Sequence, residues 1–233
     1  MATILLTGAS RGIGAAAHHA LITAGHQVIG QSTAGGGGLI AADFAQPQAA
    51  DALWQAALAQ ADGRIDVLVN NAGVFEAADP ADADGFAATW ARSLAINLQS
   101  AADLCRHAVL HFQQNGGGRI INVASRAGHR GDSPKHWHYA AAKGGVLAMT
   151  KTIARGYAAQ GILAFAITPG FTMTGMAEEY LASRGGDKLL ADIPLGRVAD
   201  AAEVAETIRW LATDAPASLT GATLDINGAS YVR

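Results

Sequence analysis

Short apolar runs of strand length alternate with longer stretches of helical period along most of the chain. The first run, at residues 3–6 (TILL), ends in Thr7-Gly8-Ala9-Ser10-Arg11-Gly12-Ile13-Gly14. Further strands are expected at 27–31, 39–42, 65–70, 119–123, 162–167 and 222–226. Helices are expected from the glycine turn to about residue 24, at 47–60, at 85–112 with an interruption allowed, from the region of Tyr139 to about 159, and at 201–212. Residues 173–184 and 186–190 read as short helices. Apolar runs without alternation mark strands buried on both faces, and their alternation with helices implies a parallel sheet between two helical layers. The expected fold is therefore α/β, a doubly wound parallel sheet of about seven strands. No linker-like tract and no repeat at a period of 20–50 residues breaks the pattern, so residues 1–233 are expected to form one domain.

One connection is too short for this plan. Residues 33–38 (Thr-Ala-Gly-Gly-Gly-Gly) alone separate the second and third strands. A parallel crossover ordinarily takes a dozen or more residues and a helix. At roughly 3.3 Å each, six or seven residues just span a strand of five. The helix between strands 2 and 3 is therefore expected to be missing, replaced by an extended glycine-rich link. Its glycines read as slack, or as N–H groups that help to cradle a phosphate.

Composition narrows the partners. Half of the 233 residues are hydrophobic, 15% are charged, and the net charge of −3 gives no electrostatic reason to expect nucleic acid or an anionic membrane. No stretch reaches 18 uninterrupted apolar residues, and the N-terminus enters a strand without a basic-then-apolar signal pattern. The one cysteine, Cys105, excludes an internal disulfide and reads as a small core residue; a cytoplasmic location is expected.

Two motifs carry chemistry. Gly8, Gly12 and Gly14 follow a strand and open a helix, where backbone can approach a pyrophosphate and free N–H groups face it. The spacing Gly-x3-Gly-x-Gly differs from the usual G-x-G-x-x-G, and a plain glycine turn is the competing reading. Further on, Tyr139 and Lys143 stand four apart, on one face of a helix. Lowering a phenol by two to three pH units takes about 3–4 kcal/mol. A unit charge at 4 Å supplies about that at an effective dielectric near 20. Lys143 is thus expected to lower the Tyr139 pKa. Alone, the pair would read as a solvated helix face.

Together, TGASRGIG, Asp43, Asn70-Asn71-Ala72-Gly73, Asn97, Ser125, Tyr139-x3-Lys143 and Pro169-Gly170 stand in the order and spacing of the short-chain dehydrogenase/reductase family. The chain resembles that family over essentially its whole length. It is most similar to the bacterial 3-oxoacyl-carrier-protein reductase type, in TGASRGIG, Val28-Ile29-Gly30, residues 169–176 and Pro194-Leu195-Gly196-Arg197. The resemblance implies a Rossmann-type NAD(P)-binding domain with substrate loops at 129–138 and 171–196. It also implies hydride transfer between a nicotinamide and a small-molecule carbonyl or secondary alcohol. Ser125 would hydrogen-bond the substrate oxygen, and Tyr139 would exchange a proton with it. Lys143 would hold the nicotinamide ribose, and Asn97 would anchor a water linking Lys143 to solvent. Ser10, Arg11 and Ile13 lie with the glycines in the cofactor turn. Asp43, with Phe44 beside it, would meet the adenine, and Asn71, Ala72 and Gly73 the adenosine ribose. After Pro169 and Gly170, Thr172 and Thr174 match the positions that hold the carboxamide and phosphate. A homotetramer, or a dimer, is expected because relatives commonly assemble so. No metal is implied.

Cofactor choice is read at the end of the second strand, where an acid would favour NAD. This chain has Gln31-Ser32-Thr33 there and Arg11 in the turn, so NADP(H) is expected ahead of NAD(H). Three features depart from the resemblance: the missing helix, similar to the dihydropteridine-reductase branch; Asn227-Gly228-Ala229 where Asn-Gly-Gly is usual; and the loop before Tyr139. That loop holds thirteen residues, among them His129, Arg130, Asp132, Lys135, His136, Trp137 and His138. As the rim of the site it favours a polar or anionic substrate; an ordinary solvated loop is the competing reading. The leading expectation is an NADP-dependent 3-oxoacyl-type reductase. The alternatives are an enzyme for a small polar substrate (sugar, polyol or pterin) and a nucleotide-sensing module without catalysis.

Overall fold

A computed structural model of the chain describes residues 1–173 and 186–233. The helix expected over 173–184 falls, apart from Met173, outside them.

The strands are β1 (Thr3–Leu6), β2 (Gln27–Ser32), β3 (Ile40–Ala41), β4 (Val67–Asn70), β5 (Gly118–Val123), β6 (Ile162–Pro169), β7 (Thr172–Met173), β8 (Ala199–Asp200) and β9 (Thr223–Ile226). The helices are α1 (Gly12–Thr23), α2 (Ala49–Gln60), α3 (Ala83–Leu94), α4 (Ser100–Gln114), α5 (Ala127–Arg130), α6 (Trp137–Tyr157), α7 (Gly186–Ala191) and α8 (Ala201–Thr213). Seven strands form one parallel sheet in the order β3-β2-β1-β4-β5-β6-β9, as a doubly wound α/β fold requires. β7 and β8 pair apart from it, and neither was expected as a strand.

The apolar runs serve both faces, because side chains alternate along a strand. Leu5, Leu68 and Ile120 join α2, α4 and α6 through Leu53, Trp54, Leu104, Phe112 and Ile153. Their neighbours Ile4, Leu6, Val67, Val69 and Ile121 join α1 and α8 through Leu21, Val204, Ile208 and Leu211. Cys105 lies in the first of these cores, and burial pushes its thiol up to about 12, so it is a packing residue.

The connection from β2 to β3 contains no helix. It is not extended either: Gly35, Gly36, Gly37 and Gly38 all have positive φ (70, 86, 59 and 85°), a left-handed path that suits glycine. The turn closes by Gly35 N–H to Ser32 Oγ at 3.0 Å and Leu39 N–H to the Gly36 carbonyl at 3.0 Å. Register explains why so few residues suffice. β3 pairs only with the last two residues of β2, Gln31 with Ile40 and Ser32 with Ala41, so the chain need not travel back along the strand.

The helix expected over 85–112 is divided. Between α3 and α4 lies a π-helical segment, Ala95–Gln99, of the kind frequent at functional sites. It carries Asn97.

Candidate active site

The parallel strands end together at one edge, and every candidate residue on a βα loop lies there. β1 leads into Thr7, whose hydroxyl accepts from the N–H groups of Asn71 and Ala72, each at 3.0 Å. Asn71 reciprocates: its amide donates to the carbonyls of Thr7 (3.0 Å) and Gly8 (3.2 Å). The Asn71 side chain thus braces the glycine turn, while its backbone and that of Ala72 are held by Thr7. A Cβ on Gly14 would collide with the Gly8 carbonyl, and one on Gly8 would lie 2.9 Å from Ala72 Cα, so both positions must be glycine. Gly12 opens α1, Arg11 caps it with extended backbone and no side-chain bond, and no acid lies in its first turn. A bare turn with open N–H groups at a positive helix end suits a dinucleotide pyrophosphate. Ser10 and Arg11 are exposed beside it, and Ile13 is half-buried under it.

Gln31 is a site residue that the sequence reading passed over as merely not acidic. It is 2% exposed. Its Oε1 accepts from Gly8 N–H at 2.8 Å, and its Nε2 donates to the Ala42 carbonyl at 2.7 Å. One side chain therefore ties the glycine turn to the edge of the sheet beyond β3. Beside it Ser32 is buried against the glycine-rich turn, and Thr33 is exposed. Asp43 Oδ1 accepts from Ala45 N–H at 3.0 Å. The Phe44 side chain is packed in the core, so only its backbone can meet a ligand.

Ser125 follows β5. Its hydroxyl accepts from Ala127 N–H at 3.1 Å and lies close enough to the Tyr139 side chain to favour the phenolate. A buried polar chain aligns the elements that bring the two together. Asn70 in β4 donates to Asn122 in β5 at 2.9 Å, and Asn122 donates to Thr150 in α6 at 2.9 Å. Lys143 is buried, and its Nζ donates to the Val123 carbonyl at 2.8 Å. Gly73 brings the fourth strand's loop over this point: a Cβ there would lie 2.8 Å from Asn97 Oδ1 and 3.6 Å from Lys143 Nζ. Asn97 is buried and occupied with bracing, accepting from Val74 N–H and donating to the Val74 carbonyl, both at 3.0 Å, and donating to Ser93 Oγ at 2.9 Å.

The electrostatics correct one expectation. Burial pushes the Tyr139 phenol up to about 12; the Ser125 hydroxyl opposes the rise and Asp132 adds to it. Burial pulls Lys143 down to about 8. Lys143 does not lower Tyr139 here, because its Nζ is turned to the β5 carbonyl, 5.7 Å from the phenol ring centre. Both groups are instead shifted toward their neutral forms, as burial demands.

The loop before Tyr139 is pinned on two sides. His136 stacks on Phe75, with ring centres 3.8 Å apart, and Phe75 meets Tyr139 edge-on at 4.9 Å. Ala78 N–H donates to the Lys135 carbonyl at 2.9 Å, and Lys135 pairs with Asp79 at 2.9 Å. His129 instead stacks on Tyr231 of the C-terminal tail at 5.3 Å. His138 is buried, and neither ring nitrogen has a partner among the described residues. The histidines therefore serve separate walls. Phe75 was missed by sequence reading, although its place just after Asn70–Gly73 is a usable signal. Past β6, Gly170 N–H donates to the Ile226 carbonyl at 2.9 Å, and Thr172, in β7, donates to the Gly170 carbonyl at 3.3 Å. Thr174 lies outside the described residues.

Comparison with known proteins agrees with this geometry. The family model described as enoyl-(acyl carrier protein) reductase matches residues 8–229. A 3-oxoacyl-[acyl-carrier-protein] reductase of Synechocystis is 40% identical, with 96% of this chain and 94% of that protein covered. The enzymes of the same name from Vibrio cholerae and Escherichia coli are 34% and 32% identical, each with 98% of this chain and 96% of their own length covered.

Proposed function

Starting from the fact that this chain belongs to the short-chain dehydrogenase/reductase family, enzymes acting on a C=O/CH–OH pair, we propose that it is an NADP(H)-dependent reductase of the 3-oxoacyl type. The observation that carries the reading is the Ser125 hydroxyl acting on the Tyr139 phenol beside buried Lys143. Two hydroxyls that converge can both donate to one substrate oxygen, which is what a carbonyl becoming an alkoxide needs. The nicotinamide, when bound, supplies the hydride.

In this reading Ser125 holds the oxygen and Tyr139 gives it a proton. A phenol held near 12 stays protonated through the neutral range, so it is always loaded for reduction. Lys143, near 8, can restore that proton and hold a ribose hydroxyl. Asn97 keeps Val74 and the 70–73 loop in place under the cofactor. Gly8, Gly12 and Gly14 take the pyrophosphate. Arg11, Ser32 and Thr33 meet the 2′-phosphate, with no carboxylate at the end of β2 to repel it. The chain acts as one domain, in a homotetramer and in the cytoplasm; among the described residues no helix is long and apolar enough to cross a membrane.

The polar rim at 129–138 supports a second reading, a small polar substrate. NADPH oxidation across 3-oxoacyl thioesters, sugars and pterins decides between them. Fastest turnover of the thioesters upholds the first, and of a sugar or pterin the second. Tyr139→Phe should keep NADPH binding while turnover falls about a thousandfold; unchanged turnover removes Tyr139 from the mechanism.

A further inference from the structure

Arg126 directly follows Ser125, and its N–H donates to the Pro169 carbonyl at 3.2 Å. It stands where the serine loop meets the Pro169-Gly170 turn. Its side chain is only 12% exposed, and the guanidinium lies 6.0 Å from the centre of the Phe171 ring. Nη1 donates to Asp192 Oδ2 at 3.3 Å, its one side-chain hydrogen bond among the described residues. Arg130 donates to the same Oδ2 at 3.0 Å and to the Ser230 carbonyl at 2.8 Å. Two guanidiniums thus share one oxygen of one carboxylate. Asp132 acts on Arg126 through space, but its Oδ1 accepts from Ser133 N–H. The Arg126 bond is long and single, where a guanidinium can make a short forked pair with a carboxylate.

The geometry points to Arg126 as the residue that reads a negative charge on the substrate: an oxo acid whose free carboxylate takes the place of Asp192 while its keto oxygen meets Ser125 and Tyr139. Arg126 is next to Ser125 in the chain and its guanidinium lies beside Phe171, in the loop after Pro169-Gly170, so the test places the charge a few bonds from the reacting carbonyl. A long neutral acyl chain would leave Arg126 with Asp192. The inference rests on the carbonyl-reductase reading and fixes the other end of its substrate.

The test is NADPH oxidation with two substrates that differ only at the far carboxyl: diethyl 3-oxohexanedioate, where an ethyl group caps it, and its 1-monoethyl ester, where it is a free carboxylate. The protein is expected to favour the monoester by at least about tenfold in kcat/KM. Arg126→Met should bring the ratio close to one. Asp192→Asn should move the other way, lowering KM for the monoester, because the resident carboxylate no longer competes. If the two variants instead lose activity together on both substrates, the cluster is a structural clasp and the inference is wrong. A ratio near one in the unaltered protein, with the diester turned over, also overturns it but leaves the reductase reading standing. If neither ester nor any thioester is turned over, both readings fall.

Discussion

Lys143 Nζ donates to the carbonyl of Val123 at 2.8 Å, at the very end of the fifth strand. This contact anchors a buried cation to the sheet and leaves it with a pKa near 8.

The first prediction concerns stability against pH. Lysine in an unfolded chain titrates at about 10.4. Between about 8 and that value the unfolded chain binds more protons than the folded one, so stability rises with pH across this window. Below about 8 both states are protonated and the dependence vanishes. Thermal unfolding from pH 7 to 10 should therefore show a rise in Tm that is missing in Lys143→Met. Equal slopes in the two proteins would refute the depressed pKa. Tyr139 acts in the opposite sense at higher pH: its raised pKa makes stability fall as pH climbs from about 10 toward 12.

Cofactor preference is tested by calorimetric titration. NADPH should bind at least about tenfold tighter than NADH, from one cation and two hydroxyls without an opposing carboxylate. Arg11→Ala should erase most of the difference while NADH affinity barely changes. Equal affinities in the unaltered protein would defeat this assignment.

Gln31→Leu keeps the size of a buried side chain and deletes both of its hydrogen bonds. Gly8 N–H and the Ala42 carbonyl lose their partners. The expected cost is about 1–3 kcal/mol in denaturant unfolding, together with weaker binding of either cofactor, since the glycine turn is no longer held. A stable variant with unchanged affinity would show that the turn holds itself.

Ala229 has φ of 63°, a left-handed conformation that a Cβ makes costly. It is the residue that departs from Asn-Gly-Gly. Ala229→Gly should stabilise the protein by about 0.5–1 kcal/mol, the relief of that strain less the entropy glycine gains when unfolded. A Tm scan would show a rise of a few degrees, and a fall would mean that the backbone is not strained there.

Most of the fold was legible because the apolar runs are uninterrupted and recur between helical stretches, so the seven strands of the main sheet, their parallel direction and most helix positions follow from the pattern. The residues proposed as catalytic could be picked out because Ser125, Tyr139 and Lys143 stand at the spacings of the family the chain resembles. The rest depended on where side chains turn. Nothing in the sequence says that Lys143 points to Val123, or that Asn97 sits on a π-helical segment. Gln31 looked like an absence of charge, yet its side chain braces Gly8 against Ala42. The β7–β8 pair is two residues long on each side, too short for any periodic signal. The glycine link was read as extended because its length was compared with a whole strand, when β3 meets only the tip of β2.

That same left-handed turn has a consequence for chain length. Gly36, Gly37 and Gly38 have open space around the place a Cβ would occupy, and they touch neither core. Doubling the length of such a loop costs only about 0.6 kcal/mol in closure entropy. A domain stable by about 5–15 kcal/mol absorbs that easily. The edge of the sheet beside the glycine-rich turn is thus a point where added sequence can enter without disturbing Ser125, Tyr139 or Lys143.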